Sequence, residues 1–301
     1  MRKSAESYEF LFEQSGEICE DAFERLRHRD VANYRAKTIK SGDVLEVEIF
    51  PIWKTGNQAK EAKRRTTKEA QKKLNEKNAK KKFIRKINAN FSGEDLSVTL
   101  TYRDEAPDEQ QARKDIRNYI RRIREWRRKH GMSELKYAYV MEYGGKDGRR
   151  KRVHHHIIMS GIDRDTAEKL WGKGYANAHR LQPDDYGMEA LARYMMKEPK
   201  GGKRWAASKN LVDPKITESD TKISKRKVER MAQDFEEVPA RIFGKLFPGY
   251  TFDACQVRFS AFVSGAYVYA HMHREAKEKG DHANGKSQIR NCKKPHRTGS
   301  V

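Results

Sequence analysis

The stretch "LKYAYVMEYGGKDGRRKRVHHHIIMSG", residues 135–161, decides the reading of the fold. Two runs of β-forming residues flank a Gly- and Arg-rich loop, which predicts a hairpin. Its second run places His154, His155 and His156 ahead of Ile157, Ile158 and Met159. Side chains alternate along a strand, so His154 and His156 share one face with α-carbons about 6.5–7 Å apart, and His155 takes the other. Two imidazoles on one face can converge on a single cation, whose nitrogen ligands lie at about 2–2.2 Å. The apolar run anchors the pair. A wet strand edge is the bland reading of an isolated His-x-His.

Glu142, near the end of the first run, changes that balance. If the hairpin register pairs it with 154 or 156, all three side chains share a face, whereas a slip of one residue turns the carboxylate away. Two histidines and one carboxylate with open positions suit a divalent ion, Mn²⁺ or Mg²⁺, that must also hold a substrate oxygen. His179 is the alternative third ligand.

Working outward, "EDLSVTLTYRD" (94–104) reads as a strand with Leu96, Val98 and Leu100 on one face. Pro107 and Asp108 then open a helix in which Ile116, Tyr119, Ile120, Ile123 and Trp126 form a core stripe, closed by Gly131. Its arginines face solvent or nucleic acid. After the hairpin come a short helix around "DTAEKLWGKG", a strand "YANAHRL" and a helix "DYGMEALARYMMKE". The order β-α-β-β-α-β-α predicts an α+β fold: an antiparallel sheet of ferredoxin-like or RRM-like type with helices on one face.

Mixed N- and C-terminal extensions flank that core. Residues 1–90 hold a hairpin, "YRAKTIKSGDVLEVEIFPIW" (34–53), and a basic helical stretch that is either a solvated helix or a phosphate-contacting arm. The core spans 91–200, a C-terminal extension 201–278, and 279–301 reads as a disordered tail. Two local patterns are set aside. "GDHANGKS" (280–287) matches a phosphate loop but has no hydrophobic strand before it. "HMH" (271–273) is assigned to a helix, where residues i and i+2 point apart, as surface histidines.

The chain has 301 residues, with 36% hydrophobic, 36% charged and a net charge of +22. Such self-repulsion is relieved by a polyanion, and nucleic acid is the expected one. An anionic membrane is the weaker option, because no apolar run approaches the roughly 20 residues of a spanning helix. The N-terminal residues show no signal-peptide core. Cys19, Cys255 and Cys292 lie far apart, against a disulfide framework or zinc ribbon and in keeping with a reducing cytoplasm.

Tyr194 lies on the helix "EALARYMMKE", beside Arg193 and with Lys197 three residues on along the same face. A phenol of pKa about 10 is a weak nucleophile at neutral pH. A divalent ion that withdraws charge from a phosphate and a nearby lysine would both help it. Attack on a DNA phosphate gives a 5′-phosphotyrosine and a free 3′-hydroxyl, which is nicking by transesterification. Tyr186 is the reserve nucleophile. Lys203, Arg204 and Trp205 offer charge and a stacking plane for unpaired bases, although Trp205 serves equally as a residue closing the core.

In order, "LSVTLTY", "VMEYGGKDGRRKRVHHHIIMSG" and "ALARYMMKE" resemble the three motifs of HUH endonucleases, and most closely the rolling-circle replication initiators of single-stranded DNA phages and Gram-positive plasmids or integrated elements. Val153 stands where that family usually has proline. Ala190 stands where two-tyrosine members carry their first tyrosine, so the resemblance is to a single-tyrosine enzyme. The tyrosine follows the histidines, unlike in conjugative relaxases. The resemblance covers roughly 90–200. It implies a palm-like nickase core, a site-specific nickase and strand transferase acting on single-stranded or hairpin origin DNA, and a borrowed host helicase and replication machinery. A single-strand transposase, a mobilisation relaxase and a catalytically dead DNA-binding regulator are the competing readings.

Overall fold

The computed structural model describes residues 31–54, 68–104, 107–144, 152–197, 205–234, 237–259 and 264–274. The phosphate-loop look-alike and the predicted tail lie outside them. The fold is α+β and contains two five-stranded antiparallel sheets.

The first sheet is built from β3 (Leu96–Thr101), β4 (Tyr137–Gly144), β5 (Arg152–Met159), β6 (Ala176–Arg180) and the short β7 (Ala206–Ala207), in the order β6-β3-β5-β4-β7. Helix α2 (Glu109–Lys129) connects β3 to β4, and α3 (Arg164–Lys169) connects β5 to β6. This is the ferredoxin-like connectivity, and it makes β5 the central strand. Helix α2 starts where expected, with the Asp108 carboxylate accepting the Gln111 N–H at 2.8 Å. Ile116, Tyr119, Ile120 and Ile123 are buried against Leu96, Val98, Leu100 and Ile157. One arginine departs from the solvent-facing set: Arg127 is buried, and its guanidinium donates to the carbonyls of Ser133 and Gly161.

The expectation of helices on one face is corrected. Helix α1 (Lys68–Asn88) and α4 (Glu189–Met195) cover the opposite face, where Phe83, Ile87, Ala192 and Met195 pack on Ala138, Val140 and Ile158. The basic stretch is thus neither a free arm nor wholly solvated. Its last turns carry two fully buried apolar residues, and Arg85 points the other way.

The second sheet has the order β8-β1-β2-β10-β9, from β1 (Val31–Ser41), β2 (Val44–Trp53), β8 (Lys215–Ser219), β9 (Thr251–Phe259) and β10 (Ala266–His273). The β1–β2 hairpin turns at Gly42 with φ 62°, as the Ser-Gly-Asp sequence predicts. One face of this sheet buries Leu45, Val47, Ile49, Val268 and Met272 beneath α5 (Lys225–Gln233) and α6 (Glu237–Leu246). The other face meets α1, where Arg85 donates to Glu46 at 2.6 Å and Glu48 at 2.8 Å. Helix α1 therefore lies between the two sheets and is held apolarly on one side and by charge on the other.

The helical assignment of 271–273 is also corrected. Those residues end β10, paired with β2 and β9, and His271 is 5% exposed. The alternation of Val268, Ala270 and Met272 toward one core places the histidines together on the opposite face. Among the described residues no helix is long and apolar enough to cross a membrane.

Candidate active site

The hairpin register pairs Glu142 with His154 and Val140 with His156, so the carboxylate and both histidines project from the same face of the first sheet. On the other side of β5, Thr99 opposes His156 and Thr101 opposes His154. His156 is 6% exposed and is held at both nitrogens: Nδ1 lies 3.3 Å from the Thr99 hydroxyl and Nε2 lies 3.2 Å from Glu142 Oε2. With the proton on Nε2 the ring donates to Glu142 and accepts from Thr99. Two donor atoms in adjacent positions around one ion at about 2.1 Å stand about 3 Å apart, so His156 and Glu142 already have the separation of neighbouring ligands. His154, half-buried one pleat along, is not within 4.8 Å of both partners' ligand atoms.

The Tyr194 ring meets His156 edge-on, with centroids 5.6 Å apart at 78°. Tyr194 is 62% exposed, and it is carried by α4, whose buried Ala192 and Met195 fix the helix to the sheet. Helix α4 closes at Met195, so Lys197 does not share a helical face with Tyr194. It leaves in a tight turn, exposed, with its N–H donating to the Tyr194 carbonyl at 3.1 Å. Arg193 is exposed and ion-paired with Glu189 one turn earlier.

His155 points the opposite way, as alternation requires, and is fully buried. Its Nε2 lies 3.1 Å from the Tyr102 hydroxyl, and its ring packs edge-on against Tyr102 and Trp171. Burial pushes its pKa down to about 4, with His156 and His154 adding repulsion and Asp115 opposing them. Val153, at the position the resembled family fills with proline, is buried on this same side with Ala112 and Met141.

The remaining predicted residues separate. His179 shares the sheet face with His156, but it pairs with Ser97 on β6, two strands away and farther along, so Glu142 is the candidate beside the pair. Trp205 is partly buried against Phe83, with ring centroids 5.3 Å apart. Lys203 and Arg204 lie outside the described residues. Tyr186 is not at the histidine pair. It stacks on His271 at 4.3 Å, and its pKa is raised by burial first and then by Asp253, Glu189, Asp185 and Asp184.

Sequence reasoning missed the setting of Tyr186. The loop before α4 is pinned to α1: Asn88 Oδ1 accepts the Met188 N–H at 2.8 Å, and Gly187 adopts φ 67° where a Cβ would strike the Asn88 side chain. That loop also meets β9 and β10, where Asp185, Asp253 and His273 gather their ligand atoms within 4.8 Å of one another. The two-residue alternation that reads "VHHHIIM" also reads "AYVYAHMH", and applied there it finds the histidines of this cluster.

Residues 95–199 match the family model of replication-associated protein ORF2, a segment that runs from the threshold of β3 past Lys197 and contains Glu142, His154, His156 and Tyr194. No curated protein and no solved structure matches the chain.

Proposed function

We propose that the chain is a replication initiator that nicks and rejoins a DNA strand through Tyr194. The observation that carries this reading is the exposed Tyr194 ring held against the Glu142–His156 contact, inside the segment similar to replication-associated proteins. A net charge of +22 supports a nucleic-acid partner.

His154, His156 and Glu142 would hold Mn²⁺ or Mg²⁺. Such an ion, when bound, draws charge from the scissile phosphate and steadies the departing oxygen. The protein's residues do the rest. The Tyr194 oxygen gives up its proton and forms a bond to phosphorus as the bond to the 3′-oxygen breaks, and that oxygen leaves as a hydroxyl. One phosphoester replaces another, so rejoining by the reverse attack needs no nucleotide. Thr99 and Glu142 fix the His156 ring, and the α4 packing fixes the approach of the phenol. Lys197, one turn beyond the tyrosine, supplies positive charge to the phosphate. Arg193, Lys203, Arg204 and Trp205 would contact the strand, which is single-stranded or extruded as an origin hairpin. Unwinding of the duplex falls to a host helicase and replication machinery.

The test is a labelled single-stranded oligonucleotide library incubated with the protein and Mn²⁺, followed by mass spectrometry of the covalent peptide. An adduct on Tyr194 with a free 3′-hydroxyl is expected. No adduct in any arm would leave a DNA-binding regulator, and adducts that join two distant ends would mark a transposase.

A further inference from the structure

The cluster behind Tyr186 has the chemistry of a cation site separate from the one on β5. Asp253 on β9 has a side chain only 8% exposed, and its two oxygens face two imidazoles: Oδ2 lies 2.8 Å from His271 Nδ1 and Oδ1 lies 2.5 Å from His273 Nδ1. The far nitrogen of His273, Nε2, lies 3.6 Å from Asp185 in the loop before α4. Among the described residues no lysine or arginine ion-pairs with Asp253. A buried carboxylate is costly unless a full positive charge or a cation stands beside it, and an imidazole supplies that charge only when protonated.

A second observation points the same way. His271 is 5% exposed, and its Nε2 has no hydrogen-bond partner. The cluster is therefore rich in lone pairs and poor in donors. The nearest guanidinium on the same strand end, Arg274, is engaged by the Tyr250 hydroxyl at 3.2 Å and does not fill the gap. The cluster opens on a cleft of about 1690 Å³ between the two sheets, lined by Asp185, His273 and Asn88 among others, so an ion has an entry path.

We infer that Asp253, His273 and Asp185 form a divalent-cation site that ties the second sheet to the loop leading into the Tyr194 helix. Two carboxylates and one imidazole suit Mn²⁺ or Fe²⁺ better than the thiolate-preferring ions. The exposed Asp185 comes from the first sheet's loop and the other two ligands from the second sheet, so the ion joins two bodies of the fold and holds the register of the nucleophile-bearing helix. The site stands whether or not the β5 residues bind metal.

The test is a Mn²⁺ titration of the full chain, in which bound ion is counted by loss of the free-ion paramagnetic resonance signal. The His154→Ala/His156→Ala double variant should retain one tight ion. In that background Asp185→Asn should weaken the retained ion by roughly 10-fold or more, and Asp253→Asn should abolish it. Asp185 is 73% exposed, so its variant should fold, and unchanged circular dichroism checks this. Mn²⁺ should also raise the melting temperature of the double variant, and Asp185→Asn should reduce that rise. If the double variant holds no ion, or if Asp185→Asn binds it unchanged, the proposal is overturned. Retention of both ions by the double variant would refute the β5 site instead and leave this one standing.

Discussion

The chain places a His-x-His pair on each of two strands, His154/His156 on the central β5 of one sheet and His271/His273 at the end of β10 in the other. Alternation makes both pairs co-facial. Their surroundings then diverge. The first pair faces one carboxylate and an exposed phenol with space for a substrate strand, whereas the second closes on a buried carboxylate with a tyrosine stacked over it. The same dipeptide spacing thus yields an open site where the next layer is a short helix ending in a turn, and a closed one where the next layer is a pinned loop. Spacing supplies convergence, and the layer packed on top supplies the task.

The largest break between the two pairs should appear in their tyrosines. Tyr194→Phe is expected to lower nicking by roughly 10⁴-fold and to remove the covalent adduct, since no other group can carry the phosphate. Tyr186→Phe, stacked over the second pair, should leave adduct formation intact. A denaturing gel of a labelled oligonucleotide with each variant reads both. An adduct that survives Tyr194→Phe and disappears with Tyr186→Phe would reverse the assignment of the two pairs.

Removing the imidazoles themselves should sharpen the contrast. His156→Ala and Glu142→Gln are expected to cut Mn²⁺-dependent nicking by roughly 100-fold or more with little change in urea midpoint. His271→Ala strips a partner from the buried Asp253, so it should cost about 1–3 kcal/mol of stability. Paired rate and urea-melt measurements on the three variants decide whether one pair is chemical and the other architectural.

Why one pair was legible and the other was not follows from local pattern. In "VHHHIIM" three consecutive apolar residues fix the strand, and a loop rich in Gly and Arg fixes its hairpin, so the face of His154 and His156 could be read directly. The core order β-α-β-β-α-β-α could be read for the same reason, because α2 has a clean apolar stripe and a capping aspartate. In "AYVYAHMHREAK" the flanking charges suggested a helix, and only pairing with β2 on one side and β9 on the other made it a strand. That sheet joins residues more than 200 positions apart, as in the Trp53 to Ser264 bond, and local sequence does not encode such partners. The same limit hid Arg85, which reads as one more solvated charge until Glu46 and Glu48 come from β2 to meet it. The register of Glu142 was the one site detail left conditional, and the pairing of 142 with 154 settles it.

His155 offers a third behaviour within the same run, and it is tested by pH rather than by rate. Its folded pKa of about 4 lies below the ordinary 6.5, so the folded protein favours the neutral ring. As pH falls below about 6.5 the unfolded chain takes up the proton first, and stability drops until the folded ring also protonates near pH 4. The loss should be at most roughly 3 kcal/mol across that window. Urea midpoints from pH 7 to pH 4 should show it, and His155→Phe should flatten the slope in that window. Because nicking assigns no role to this ring, His155→Phe should keep adduct formation at pH 7 if the variant folds. A rate loss matching that of His156→Ala would place His155 in the chemistry.

The smallest effect belongs to the rim of the open pair. Arg193 is exposed and tied only to Glu189 on its own helix, a surface i,i+4 pair worth about 0.3–0.5 kcal/mol. Arg193→Gln should therefore barely move the melting temperature. If the guanidinium lies along the DNA strand, the variant should weaken binding evenly across sequences and lower the slope of log affinity against log salt by about 0.7, the value for one phosphate contact on a single strand. Fluorescence anisotropy of a labelled oligonucleotide between low and moderate salt measures it. An unchanged slope would confine Arg193 to its helix and shift the electrostatic grip on DNA to Lys197 and the basic residues that follow it. The open face of the first pair would then be gripped from beyond α4 rather than by it.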